Sequence, residues 1–283
     1  MNSAITTVDA TGDDTTIWRY MDLPKFVWML AKRDLWFTKA AEFRDDPYEG
    51  FCKAEHREFP SDEYGPGPTI LPGRFKGGSQ IEISPERLFA ELSYLSAETC
   101  RNARDHLYVN SWCLAPESMA MWQIYGSLAQ GIAVTSSVGQ YQRAAKFNFG
   151  PEQYRFGRVE YHDDIESCED IRRDFRTGST PMSSNLWDSV LRLGFHKRVC
   201  YKYENEWRAA LYQDFRPGVS GVHIAFDLEQ LISGVYVGPQ AEEFFFDAVS
   251  SIMDKFLLRK PLERSALLNP PAAAAQPGQP ASV

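Results

Sequence analysis

Short runs rich in β-branched and aromatic residues recur along this chain, separated by helix-forming stretches of unequal length. The intervals never settle into the regular strand–helix–strand spacing of a doubly wound sheet. This irregularity predicts an α+β fold with mixed, mainly antiparallel sheets, of split-sandwich type, and flanking helices. Strands are expected over 16–20, 35–38, 108–114, 131–135, 155–161, 207–212, 222–226 and 234–237. Asp22-Leu-Pro-Lys25 offers a carboxylate cap and an early proline, which start a helix ending near Arg33. Ser84-Pro-Glu86 opens a longer helix to about His106, with Leu88, Leu92 and Leu95 on one face. Further helices are expected over 116–125, 163–176, 183–200 and 240–258, and residues 60–80 read as a surface excursion.

With 283 residues, 43% of them hydrophobic, the chain has enough apolar surface for a large core without staples. Residues 1–15 lack periodicity and read as a flexible leader, 16–268 as a single catalytic-type domain, and 269–283 as a disordered Pro/Ala-rich tail. The longest apolar runs, such as Phe244-Phe245-Phe246, fall far short of the ~20 residues a bilayer crossing needs. No basic region followed by an apolar stretch marks the polar N-terminus, so the expected location is the cytoplasm. Five cysteines without a C-x-x-C pair argue against a disulfide framework or a thiolate zinc site, and read as reduced, mostly buried thiols.

A net charge of −8 provides no global field for phosphate polymers, so nucleic-acid binding would need a local basic patch. Arg172-Arg173, Arg192 and His196-Lys197-Arg198 could form one, although solvated helix faces are the commoner arrangement for such runs.

The strongest candidate for a working centre is Tyr203-Glu-Asn-Glu-Trp-Arg208. Glu204, Glu206 and Arg208 fall at period two, which on a strand points all three to one face. An Arg beside carboxylates lowers their pKa, and an aromatic wall such as Trp207 or Tyr203 raises it. The plainer alternative is an edge strand with solvated charges and a weak surface ion pair. A second constellation joins Arg19-Tyr20 on the first strand to Thr38 at the end of the next and Arg44-Asp45-Asp46 beyond it. Such an Arg can clamp a phosphate, while Asp45-Asp46-Pro47 can equally be a simple turn. Trp122 and Tyr125 share a helical face that is more often core than a stacking platform. The histidines form no H-E-x-x-H, and no P-loop, dinucleotide-binding or nucleophile-elbow motif is present.

Taken together, Trp18-Arg-Tyr20, Leu35-Trp-Phe-Thr38, Phe43-Arg-Asp-Asp-Pro-Tyr-Glu-Gly50, Ser111-Trp-Cys113, Met121-Trp-x-x-Tyr125, Gly131-Ile-Ala-Val134 and Lys197 followed by Tyr203-Glu-x-Glu-Trp-Arg208 resemble a widespread, poorly characterised bacterial family. It is known as a domain of unknown function, and its members often sit beside defence genes. More distantly, the same series resembles the ADP-ribosyltransferases, including toxins that modify DNA bases.

The resemblance implies NAD as a substrate, no metal, and an acceptor that is nucleic acid or protein, as in a phage-defence or toxin effector. It implies Glu206 as the essential carboxylate, Glu204 as its helper and Arg44 as a further catalytic group. Arg19, Tyr20, Trp36, Thr38 or Ser111, and Tyr203 would bind the dinucleotide. Two other classes stay open: a non-catalytic nucleotide- or protein-binding sensor, and a hydrolase. The hydrolase would be an NAD glycohydrolase or a magnesium-dependent nuclease using Asp45, Asp46 and Glu206.

Overall fold

The computed structural model describes residues 11–51, 69–72, 80–83, 102–114, 116–148, 150, 153–165, 190–214 and 216–269. Its strands are β1 (Thr16–Asp22), β2 (Asp34–Lys39), β3 (Thr69–Pro72), β4 (Gln80–Ile83), β5 (Leu107–Cys113), β6 (Gly131–Ser137), β7 (Tyr154–Arg158), β8 (Glu160–His162), β9 (His196–Arg198), β10 (Glu206–Tyr212), β11 (Gly221–Ala225), β12 (Gly234–Val237) and β13 (Leu262–Arg264). Its helices are α1 (Leu23–Lys32), α2 (Met119–Tyr125), α3 (Val138–Ala144), α4 (Leu228–Leu231) and α5 (Glu243–Lys255).

The fold is mixed α+β. Nine strands form one sheet in which every pairing is antiparallel except that of β12 with β13. Strand β5 is the branch point. One edge pairs along its whole length with β10, from Glu206↔Cys113 to Tyr212↔Leu107. The other edge is shared: its first residues pair with β2 at Thr38↔Val109 and Lys39↔Tyr108, and its last with β1 at Trp18↔Cys113. Between those points β1 and β2 diverge, and side chains span the gap. Asn110 Nδ2 donates to the Trp36 carbonyl at 2.8 Å, and an Arg19 guanidinium N–H donates to the Ser111 carbonyl at 2.8 Å. Backbone groups that lose ladder partners must find others, and here the split is stitched by an amide and a guanidinium.

The larger core lies on one face of the sheet, where the alternation of β10 delivers Trp207, Ala209 and Leu211. Tyr141 of α3 fills its centre, edge-on to Trp207 at 5.0 Å and to Trp112 at 5.7 Å. Ala210 faces a second cluster containing Leu107, Val109, Leu191 and Phe195. Helix α1 closes over β1 as its composition requires. The Asp22 carboxylate accepts from the Lys25 N–H at 2.8 Å, and Phe26, Met29 and Leu30 turn inward at helical spacing.

Three expectations change. The strand expected over 155–161 breaks at Val159, whose N–H donates to the Glu206 carbonyl, while the Glu160 N–H turns to the Phe195 carbonyl. Residues 160–162 therefore leave the main sheet and pair in parallel with β9. The helix expected over 183–200 is α-helical, within the described residues, only at 190–193, and His196–Arg198 is a strand. Lys197 and Arg198 reach carboxylates on different elements, Glu206 and Asp46, and successive strand residues point apart as that demands. The His196-Lys197-Arg198 run is thus neither a basic patch nor a solvated helix face, since His196 and Lys197 are buried. Helix α3, started by a Ser137–Gln140 capping box, and strand β13 are additions. Cys113 is buried and Cys200 exposed. The expected helix of 84–106 lies mostly outside the described residues, that of 163–176 almost wholly. Among the described residues no helix is long and apolar enough to cross a membrane.

Asn110 also accepts from Trp112 Nε1 at 2.8 Å and from the Tyr141 hydroxyl at 3.0 Å. Asn110→Ala leaves two buried donors and one carbonyl without partners, each costing about 1–3 kcal/mol. Urea denaturation is expected to show a loss of about 3 kcal/mol or more, where a surface-like loss under about 0.5 kcal/mol would contradict the stitching role.

Candidate active site

The chain enters β10 through a 3-10 turn, Val199–Glu204, and a left-handed residue, Asn205, at φ 42°. Asparagine tolerates that region better than most residues, and the Asn205 carbonyl accepts from the Leu114 N–H at 2.8 Å. Glu204 therefore sits on the turn rather than on the strand, which begins at Glu206. The two carboxylates still converge, because Lys197 of β9 donates to Glu204 Oε2 at 2.6 Å and to Glu206 Oε1 at 2.7 Å. One strand pleat further, Arg208 forks onto Glu206, Nε to Oε2 at 2.7 Å and a terminal N–H to Oε1 at 2.9 Å. The remaining arm of Arg208 bonds Glu49 and the Gly194 carbonyl. Tyr125 at the end of α2 donates its hydroxyl to Glu204 Oε1 at 2.7 Å.

The surface edge-strand alternative does not hold. Strand β10 is paired on both sides, and Arg208 is 1% exposed. Trp207 is not the aromatic wall beside the carboxylates. Trp207 points to the opposite face, stacked on Phe156 at 5.7 Å.

Three carboxyls (Glu49, Glu204, Glu206) meet two cations (Lys197, Arg208), so the fully ionised cluster carries one excess negative charge, 3 − 2 = 1. A buried excess charge is costly, and one proton removes it. That proton belongs on Glu204. Burial pushes its carboxyl up, and the hydrogen bond with Glu206 and the charge of Glu206 push it further. Lys197 only partly offsets them, so Glu204 titrates at about 7 instead of 4.5. For Glu206 burial acts the same way, but Arg208 and Lys197 outweigh it and hold the carboxyl well below the usual range. Burial works against both cations, yet Glu206 and its neighbours outweigh it and keep Lys197 and Arg208 charged. The result is one fixed anion beside one group that gains or loses a proton near neutrality.

Both carboxylates line a cleft of about 670 Å³ that opens where β1 and β2 part. Arg19, Tyr20, Trp36, Thr38 and Ser111 line the same cleft, so most of the residues singled out in the sequence meet there. Arg44 does not; it is exposed on the loop after β2. Tyr203 lies outside the lining with 44% of its surface exposed, although it bonds Glu204 from that side. Arg19 is committed in part to the Ser111 carbonyl, and burial lowers its pKa. Tyr20 is edge-on to the buried Trp122 at 5.1 Å. Trp122 is core, while its helical neighbour Tyr125 reaches the site.

Asp46 is buried in the cleft wall and bonds Arg198 at 2.9 Å, and its Oδ2 has no hydrogen-bond partner among the described residues. Glu49, Lys197 and Tyr125 were not singled out from the sequence as site residues. The signals for Lys197 were its places in the motif series and in the basic run 196–198, and for Glu49 its position in the loop shared with Asp46. Away from the cleft, Glu160, His162 and His196 bring three possible metal-ligand atoms within 4.8 Å of one another.

No family profile and no curated protein matches this chain. Solved structures of DarT from Thermus sp. 2.9 are similar in broad outline. The structure in complex with NAD+ aligns at 10% identity with a TM-score of 0.37, covering 90% of this chain and 98% of that one. The structure in complex with ADP-ribosylated ssDNA gives 10% and 0.37, covering 91% and 97%. The complex with carba-NAD+ gives 9% and 0.34, covering 89% and 96%.

The raised Glu204 pKa has a sign in stability. The folded chain holds a proton that the unfolded chain releases between 4.5 and about 7, so this contribution is complete below 4.5 and lost as pH rises through about 7. Glu206 acts oppositely, its contribution being lost as pH falls below 4.5. Chemical denaturation is expected to show wild-type stability falling from pH 4.5 to about 7 more steeply than that of Glu204→Gln. Parallel profiles would contradict the assignment.

Proposed function

We propose that the protein is an NAD-dependent ADP-ribosyltransferase acting through Glu206, with nucleic acid or protein as acceptor. The observation that carries this reading is an anionic Glu206 fixed in the same cleft as Arg19, Tyr20, Trp36, Thr38 and Ser111. Breaking the bond between nicotinamide nitrogen and the ribose anomeric carbon sends the bonding pair to nicotinamide and leaves an oxocarbenium ion. A preorganised anion stabilises that charge without reorganising at the moment of reaction. Lys197 and Arg208 occupy three of the roughly four acceptor sites of the Glu206 carboxylate, and the hydrogen bond with Glu204 takes the fourth until Glu204 is ionised, when a ribose hydroxyl can use it.

Arg19 has further guanidinium N–H groups to offer the pyrophosphate, and Trp36 or Tyr20 a face for the nicotinamide ring. Thr38 or Ser111 supplies a hydroxyl on the cleft wall. The acceptor attacks the anomeric carbon, and its proton passes to Glu204, whose pKa of about 7 suits a base near neutral pH. Water in the acceptor's place makes the same site a glycohydrolase. The magnesium-nuclease reading is less favoured, because Lys197 and Arg208 already neutralise Glu206 and Arg198 already pairs with Asp46.

The test measures nicotinamide release from NAD with and without candidate acceptors. Glu206→Gln is expected to lower release by ~10²–10³-fold, the scale of losing one transition-state stabiliser. Circular dichroism would check that the variant folds. Release without a labelled acceptor selects the glycohydrolase. No release from the wild type under any acceptor sinks both and leaves the binding-module reading.

A further inference from the structure

The two-stranded parallel pairing of β8 with β9 carries a second cluster that the proposed reaction does not use. Its register sets Glu160 opposite His196, Tyr161 opposite Lys197 and His162 opposite Arg198. Alternation puts Glu160, His162 and His196 on one face and Tyr161 and Lys197 on the other. His162 Nε2 lies 2.9 Å from His196 Nδ1, and one donor atom from each of the two histidines and Glu160 falls within 4.8 Å of the others. None of the three lines the cleft.

Two imidazole nitrogens at that separation share a single hydrogen, since one must donate and the other accept. A hydrogen held between two nitrogens and faced by a carboxylate marks a position that a cation can take. The donor set selects its class. Two imidazoles and one carboxylate suit zinc and its first-row neighbours, whereas magnesium and calcium take oxygen. Nitrogens about 2.0–2.1 Å from a tetrahedral ion sit roughly 3.3 Å apart, so the pair needs to open by only a few tenths of an ångström. Glu160 is exposed, His162 half-buried and His196 buried, which leaves the position open to solvent on one side.

We infer that Glu160, His162 and His196 bind a divalent cation of the zinc class, which takes the place of the shared hydrogen, the donor ring moving that proton to its other nitrogen, and fastens β8 to β9. The consequence falls on the opposite face. The Tyr161 hydroxyl accepts the Glu206 N–H at 2.9 Å, and Lys197 bonds both Glu204 and Glu206. The ion thereby sets the spacing of the two strands that hold the catalytic carboxylate.

Tag-free full-length protein, stripped with a chelator, is titrated with Zn2+ against a chromogenic competitor and separately with Co2+ followed by visible absorption. The expected result is one equivalent of Zn2+ per chain, undisturbed by excess Mg2+. His162→Ala is expected to weaken binding at least as much as the ~10–100-fold typical of losing an outer-shell partner, and to abolish the Co2+ ligand-field bands. Glu160→Gln changes an exposed residue, so it tests the site without threatening the fold, and it too weakens binding. Absence of stoichiometric Zn2+ binding overturns the inference, and so does binding that both variants leave unchanged.

Discussion

A guanidinium with 1% of its surface exposed can persist inside a protein only if every arm is answered, and around Arg208 the local architecture is arranged to answer it. Its fork holds Glu206 at the start of the same strand, and its third arm reaches both Glu49 in the loop after β2 and the Gly194 carbonyl. Lys197 then binds the same carboxylates from β9. The loop that holds Glu49 and the stretch from Gly194 to Arg208 meet at this point. Removing one member of such a group strands the others in a low-dielectric interior, where breaking a pair costs about 3–5 kcal/mol.

Buried ion clusters are weak evidence for stability as such. This one does something an apolar core could not. Two cations against three carboxyls leave one proton to be placed, and the arrangement places it on Glu204 while keeping Glu206 ionised. The sheet split beside it turns that electrostatic arrangement into a site. Because β1 and β2 share one edge of β5 only at its two ends, a cleft opens between them, and the anion looks into it.

Much of this was legible from local pattern. The capped start of α1, the alternation of β10 and the strands bearing Arg19, Thr38 and Ser111 follow from short-range chemistry that a sequence displays. Other features depend on chain segments meeting. Arg208 and Glu49 are 159 residues apart, and His162 and His196 are 34 apart, at no spacing that signals a shared site. Period two placed Glu204, Glu206 and Arg208 together, but for the wrong reason at Glu204. Its convergence comes from a left-handed Asn205 and a common lysine, not from a pleat. The break at Val159 and the strand at 196–198 were hidden for the same cause, since each is decided by a partner element rather than by its own residues.

The most direct test of a fixed anion beside a proton-holding neighbour is site-resolved ¹³C NMR of the glutamate carboxyls across pH, with signals assigned by single Glu→Gln replacements. Glu204 is expected to titrate at about 7, while Glu206 stays ionised as pH falls past 4.5. A Glu206 signal that titrates at or above 4.5, or a Glu204 that titrates there with no upward shift, would contradict the account.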